Sequence, residues 1–200
     1  VGFGRLGGHP VGVVANQPQV RDGVLDGPAA LKAGRFVRTC DAFNLPLVAL
    51  VDAPEPARES GAGAREVAAL LAAYAEATVP KLTVVLRRWY GGAYSLLGAK
   101  ELGADLNLAW PLAEIAVTAP EVAVDDLYRA ELSEEGGERR ASLAAEYRAT
   151  VADPYVVAER GHIDDVIEPR ETRRELIRGL ELCRRKQVEL PARKHTSAPV

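Results

Sequence analysis

The chain has no methionine, only two cysteines and three histidines, no long apolar run, and charges that nearly cancel. Each scarcity excludes something. Cys40 and Cys183 both fall inside helical patterns, and two such residues make neither a disulfide framework nor a metal site. His9, His162 and His195 are scattered, without the spacing of metal ligands. No apolar run reaches the ~18–20 residues that cross a bilayer, so no membrane partner is expected. A net charge of −3 leaves no electrostatic footprint for nucleic acid. What is present, 48% hydrophobic and 26% charged residues over 200 positions, is the composition of a globular chain. Its length suits one domain, or one domain with a helical extension, and a cytoplasmic location is the simplest reading. Val1-Gly2-Phe3-Gly4-Arg5-Leu6 opens directly as a strand, with no initiator methionine, signal or transit character. That opening reads as a piece of a longer polypeptide or a processed subunit.

One stretch organises the rest. Lys81-Leu82-Thr83-Val84-Val85-Leu86 is a strand by composition, and Arg87-Arg88-Trp89-Tyr90-Gly91-Gly92 follows it. The glycine pair breaks the strand, and Ala93 to Leu102 has helical composition. A helix start leaves backbone N–H groups without partners, and glycine lets a ligand oxygen approach them. The turn can therefore be an oxyanion hole or an anion nest, or simply a tight turn that glycine permits.

Around it the chain alternates. Val1–Leu6 and Val11–Asn16 read as a β-hairpin entry across Gly7-Gly8-His9-Pro10. Pro28 is placed to begin a helix running to Phe43, with a stripe of Leu31, Phe36, Val37, Cys40 and Phe43. Leu45–Val51 is apolar on both faces, as in a buried parallel strand. Ala64–Thr78 is helical, with Val67, Leu70, Leu71 and Tyr74 on one face. Two short strands are expected at Asp105–Pro111 and Ala113–Val117, and helices at Glu121–Leu132 and Glu134–Thr150. Asp153-Pro154 reads as an N-cap with proline at the first helical position. A last strand is expected at Ile163–Ile167, a long arginine-rich helix at Pro169–Leu190, and an extended tail from Pro191. The order predicts an α/β layer architecture of β-β-α units.

Several ordered motifs carry a resemblance. They are Val11-Gly12-Val13-Val14-Ala15-Asn16-Gln17-Pro18, Ala33-Gly34-Arg35-Phe36-Val37-Arg38-Thr39-Cys40-Asp41-Ala42-Phe43-Asn44, Ala73-Tyr74-Ala75-Glu76-Ala77-Thr78-Val79-Pro80, Gly91-Gly92-Ala93-Tyr94 and Leu102-Gly103-Ala104-Asp105-Leu106-Asn107-Leu108-Ala109-Trp110-Pro111. With Ala158–Asp164 and Leu190–His195 they make nearly the whole chain similar to the carboxyltransferase β subunits of biotin-dependent acyl-CoA carboxylases, of the propionyl-CoA carboxylase kind. The resemblance implies a crotonase-like (ClpP/crotonase) α/β fold of repeated β-β-α units with C-terminal helices. It matches only the second domain of such subunits. Residues 1–200 would thus be one biotin-side domain, with a helical extension from about 119 to 200. The implied reaction moves a carboxyl group from carboxybiotin, carried on a carrier protein, to the α carbon of a short acyl-CoA thioester. Implied partners are an N-terminal carboxyltransferase domain that binds CoA, a biotin carboxylase and biotin carrier subunit, and copies in a homo- or hetero-oligomer. By the same resemblance the backbone N–H groups of Gly92 and Ala93 stabilise charge on the biotin ureido oxygen, with Gly91 shaping the turn. Tyr94, Ser95, Glu55 and Ala119 line the substrate side, and Ser95 matches a position that helps set acyl-chain length. The biotin ring itself acts as the base, so no side-chain base is required.

The chain departs from the family pattern in three places. Glu55-Pro56-Ala57-Arg58 stands where the family has Gly-Phe-x-x-Gly, and Pro56 has no N–H to give. Thr118-Ala119-Pro120-Glu121-Val122 replaces Met-Gly-x-x-Gly, and Arg21-Asp22 stands in a usually apolar-to-small loop. A degenerate carboxyltransferase domain kept for assembly would show this pattern, and an acyl-CoA decarboxylase that does not use biotin is a third reading. Other polar features have plainer explanations. Asp164-Asp165 are strand neighbours that point to opposite faces. Arg173, Arg174, Arg178, Arg184 and Arg185 make a solvated or subunit-facing helix surface. Asp41 and Asp105 cap or bridge, and Trp89 and Trp110 pack in a core or interface.

Overall fold

The computed structural model describes residues 1–54, 63–91, 96–132 and 137–189. The entry is the expected hairpin: β1 (Gly2–Leu6) turns at Gly7-Gly8 and returns antiparallel as β2 (His9–Ala15). Helix α1 (Gly27–Ala42) starts with Pro28 in its first turn, and the Asp26 carboxylate accepts from the Ala29 N–H at 2.9 Å. Strand β3 (Leu47–Ala53) is buried almost throughout and parallel to both β2 and β4, as its two-faced apolar run requires. Helix α2 (Ala64–Glu76) buries Leu70, Ala73 and Tyr74. Strand β4 (Lys81–Tyr90) is the hub, pairing with β3, β5 (Leu106–Ala109) and β6 (Glu114–Ala116), all parallel. The described strands form one sheet in the order β1-β2-β3-β4-β5-β7, where β7 is Asp165–Val166, with β6 beside β4.

Helices α1 and α2 cover one face of this sheet. Between them lies the main core of Val37, Cys40, Leu47, Val51, Leu70, Tyr74, Val85 and Trp89. α1 can sit that close to β2 only because residue 12 is glycine: a Cβ there would stand 2.3 Å from the Cys40 sulfur. The same burial pushes the Cys40 thiol up to about 11, so it serves as a small apolar filler. On the opposite face Leu82, Val84, Leu108, Leu176 and Leu180 form a smaller core under the last helix. Trp89 is fully buried, and the Trp110 Nε1 donates to Thr172 Oγ1 at 2.9 Å.

Several boundaries differ from the sequence reading. The strand read by composition at Lys81–Leu86 extends to Tyr90, up to the expected break at Gly91, with Arg87 and Arg88 paired to carboxylates beside it. The helical run expected to reach Leu102 stops at Gly98, whose φ is +76°. Buried Thr83 Oγ1 and Asn107 Nδ2 both donate to the Gly98 carbonyl, at 2.7 and 3.2 Å, and a 3-10 turn at Lys100–Leu102 follows. The helix expected at Glu121–Leu132 is two helices, α3 (Pro120–Leu127) and α4 (Arg129–Leu132). They part at Tyr128, which packs with Val124, Leu143 and Ala144. The next is α5 (Gly137–Tyr147), continued by a π-helical turn Arg148–Ala152. Asp153 caps α6 (Pro154–Glu159) as expected. β7 shortens to Asp165–Val166 and joins the sheet beside β5, so the stretch from 119 onward is not helical alone. The last helix, α7 (Thr172–Cys183), ends before Leu190 because the next residues curl and draw Lys186 onto the Asp105 carboxylate at 2.8 Å. The expected tail from Pro191 lies outside the described residues.

Candidate functional site

Parallel strands bring their carboxyl ends to one pole, where α/β folds place their ligands. Here β3 ends in Asp52-Ala53-Pro54 and β4 in Tyr90, followed by Gly91. The register between them slips from Val51↔Val85 to Ala53↔Trp89, so β4 takes up two extra residues beside the end of β3. Gly91 takes the left-handed region, φ +57°, which glycine adopts without penalty.

A strained turn stands beside this end. Arg21, Asp22 and Gly23 have φ of +48°, +55° and +82° in succession. The left-handed region costs a non-glycine residue roughly 1–2 kcal/mol, so other contacts must hold the first two. The Arg88 guanidinium forks onto the Asp22 carboxylate at 2.6 and 2.7 Å and donates to the Asp22 carbonyl at 3.2 Å. Its Nε reaches one oxygen of Asp52 at 3.3 Å, and the Arg87 Nε donates to the other at 3.0 Å. Asn16 Nδ2 donates to the Gly23 carbonyl at 2.8 Å, and Arg21 pairs with Asp26 at 2.5 Å. Gly23 is a requirement of space as well as of φ, since a Cβ would lie 2.5 Å from the Asp52 carbonyl oxygen. The hydrogen bonds from Arg88 hold the Asp22 carboxyl below its usual range.

A second charged group flanks Gly91 on the β6 side. The Tyr90 hydroxyl donates to Glu114, and Arg148 from the π-helical turn bridges Glu114 at 3.3 Å and Glu121. Burial first, then the Glu114 carboxylate, drive the Tyr90 phenol well above its usual range, so it stays protonated. Between the strained turn and Leu97 lies a groove of 490 Å³. Val14, Leu25 and Leu97 are its apolar wall, and Asn16, Gln17 and Arg21 its polar one.

Of the residues expected to act, Gly91 is at the tip of β4. Gly92, Ala93, Tyr94, Ser95, Glu55 and Pro56 lie outside the described residues. Ala119 is the N-cap of α3 and packs with Tyr90, Ala116 and Ala152, so its side chain belongs to a small apolar cluster. His9 faces Glu181 and His162 faces Glu101, each on the surface. Reading the residues in order missed the ion-pair partners. Arg88 and Asp22 were each conspicuous, one in the organising stretch and one in a departing loop, but 66 positions separate them.

Comparison with known proteins shows the family and the fold. A family model described as carboxyl transferase domain matches residues 1–198. The chain is 50% identical, over its whole length, to a Haloferax mediterranei protein named propionyl-CoA carboxylase, carboxyltransferase subunit, and covers 40% of it. It is 49% identical to the biotin-dependent acetyl-/propionyl-coenzyme A carboxylase beta5 subunit of Mycobacterium tuberculosis, covering 38% of that protein. Among solved structures it superposes on the hexameric transcarboxylase 12S, crystallised with methylmalonyl-coenzyme A and methylmalonic acid. The TM-score is 0.93 at 46% identity, over 99% of this chain and 39% of that one. The β subunit of Pseudomonas aeruginosa geranyl-CoA carboxylase, at 22% identity and a TM-score of 0.78, shares the fold. The chain thus spans about two fifths of the length of these relatives, and its α/β sheet is that of a crotonase-like fold. On the match of residues 1–198, the chain belongs to the carboxyl transferase domain family.

Proposed function

We propose that this chain is the biotin-side half of an acyl-CoA carboxyltransferase. It works with a CoA-binding half to transfer a carboxyl group from carboxybiotin to the α carbon of a short acyl-CoA. The observation that carries this is the 49–50% identity, over the entire chain, to subunits named for propionyl- and acetyl-CoA carboxylation. The free thiols of Cys40 and Cys183 suit a reducing cytoplasm, and assembly with copies or partner subunits follows the hexamer of the similar transcarboxylase.

The groove fits a biotin ring in character. Its apolar wall of Val14, Leu25 and Leu97 suits the fused ring and alkyl chain. The Asn16 Oδ1 is buried without a hydrogen-bond partner among the described residues, an acceptor of the type a ureido N–H needs. When bound, carboxybiotin supplies the carboxyl group to be moved. The chain's own task is to stabilise the charge that develops as that group leaves. Gly91 turns the backbone at the tip of β4, and the N–H groups of Gly92 and Ala93 are the donors we assign to that charge. Tyr94, Ser95, Glu55 and Ala119 are the residues we assign to the substrate side. The Tyr90 hydroxyl, held by Glu114, keeps the strand tip in place.

The test is carboxyl transfer by this chain assembled with its CoA-binding half, with and without biotin. Gly92→Pro removes one donor, and a loss of about 10²–10³ in kcat is expected with a folded, assembled protein. Undiminished turnover in that variant removes the oxyanion role, and turnover independent of biotin favours decarboxylation of the acyl thioester instead. Pro56, which cannot donate an N–H, favours the reading of a domain kept for assembly. An assembled complex without transfer would establish it.

A further inference from the structure

We propose that Asp22 and Arg88 are positioning residues that hold the wall of the groove at its working width. This inference rests on the carboxyltransferase reading for its kinetic consequence, but not for its structural one. The turn Arg21–Gly23 contributes Arg21 and Gly23 to the groove lining. Its two non-glycine residues sit in a conformation that such residues leave when nothing holds them. One guanidinium does most of the holding. Arg88 grips both oxygens of the Asp22 carboxylate and the Asp22 carbonyl, while its Nε stays on Asp52 at the end of β3. Three segments that border the site, the turn after β2, the end of β3 and the tip of β4, are thereby tied to one planar group. A planar fork with fixed donor directions transmits position in a way a single point charge does not. The network is also neutral overall, two arginines against two aspartates, so it adds no net charge at the mouth of the groove. The backbone bonds of the turn, from Gly23 N–H to the Val20 carbonyl at 3.0 Å and from Val24 N–H to the Arg21 carbonyl at 3.0 Å, report whether it keeps its shape.

Asp22→Gly separates positioning from folding, because glycine accepts the left-handed φ while the clamp loses its carboxylate. In the assembled enzyme, run in reverse with a carboxylated acyl-CoA and free biotin as acceptor, KM for biotin is expected to rise about tenfold, with kcat within about twofold. The melting temperature stays within about two degrees, and the Gly23 and Val24 amides exchange about tenfold faster as the turn opens. Arg88→Lys, which keeps the charge but not the fork, falls between the two. Unchanged exchange and unchanged KM in Asp22→Gly overturn the proposal. So does a fall in melting temperature that accounts for the lost activity, since the pair would then be a structural brace only. If the parent enzyme shows no dependence on biotin, the functional reading fails, and the exchange rates alone decide whether the clamp shapes the groove.

Discussion

The two ends of the parallel strands both gather carboxylates, yet they use them differently. At the amino ends each acceptor takes a backbone N–H, and Asp105 and Asp164 add a lysine ammonium, Lys186 and Lys100. Asp41 takes the Thr78 N–H at 2.7 Å and the Val79 N–H at 3.3 Å just before β4, Asp105 takes the Lys81 N–H at 2.8 Å, and Asp164 takes the Asn107 N–H at 2.8 Å. Each fixes the first residues of a strand. Buried Lys81 completes this pole by donating from its ammonium to the carbonyls of Tyr74 and Leu102, closing the ends of α2 and the 3-10 turn. At the carboxyl ends the acceptors serve arginine side chains instead: Asp22 and Asp52 for Arg87 and Arg88, Glu114 and Glu121 for Arg148. Backbone acceptors make a rigid base. Side-chain pairs set the position of turns that are otherwise unsupported or strained, which is what a pole that borders a groove requires.

If that contrast is right, truncation should hurt far more at the amino pole. Asp105→Ala leaves the Lys81 N–H and the Lys186 ammonium without their shared acceptor, and a loss of about 2–4 kcal/mol is expected. Asp22→Ala, which removes a largely exposed carboxylate, is expected to lose about 1 kcal/mol or less. Urea unfolding of the two variants measures the difference, and equal losses would erase the distinction between the poles. A pH effect comes next in size. Burial lowers Lys81 from its ordinary 10.5 to about 8. Its folded value lies below its unfolded one, so the unfolded chain holds the extra proton between those limits. Stability from this group therefore rises with pH from about 8 to 10.5, by on the order of 3 kcal/mol at most. Lys81→Met should flatten that rise in urea midpoints taken across the window.

The fold was legible where the chain's signals are local. Asp26-Gly27-Pro28 and Asp153-Pro154 each hold a cap and a first-turn proline within three residues, and both helices start there. The run Leu45–Val51, apolar on both faces, reads as a buried strand, and β3 begins within it at Leu47. Errors came where a distant partner rewrites a local signal. Nothing local shows that Arg87 and Arg88 pair with Asp52 and Asp22, 35 and 66 positions away. The helix Thr172–Cys183 looks longer until Lys186 is drawn to Asp105 across 81 positions. The site divides the same way. The left-handed Gly91 at the end of β4 could be read from the glycine pair, whereas the charges beside it come from six separate segments and no spacing announces them.

A smaller effect tests the quality of the amino pole. The Tyr74 carbonyl is used by Lys81, but the Tyr74 hydroxyl is buried and has no hydrogen-bond partner among the described residues. Leaving such a group unmade costs ~1–3 kcal/mol of desolvation, so Tyr74→Phe should be neutral or stabilising by about 1 kcal/mol. A clear destabilisation would mean that the hydroxyl has found an acceptor and that this pole is tighter than its contacts suggest.

The smallest effect tests the carboxyl pole. Asp22 is held below its ordinary 3.8 first by the hydrogen bonds from Arg88. A carboxyl with a depressed folded value contributes stability above its unfolded value and loses it as pH falls through the folded one. Exposure screens that contribution, so the expected signal lies in the titration itself, not in the unfolding curve. The Asp22 carboxyl carbon, followed by NMR, should titrate below pH 3.8 in the parent chain and return towards it in Arg88→Gln. If replacing Arg88 leaves the midpoint where it was, the fork does not form in solution. The strained turn would then be held by Asn16, the Arg21–Asp26 pair and the fit of Gly23 against Asp52, and the contrast between the two ends would rest on Glu114 and Arg148.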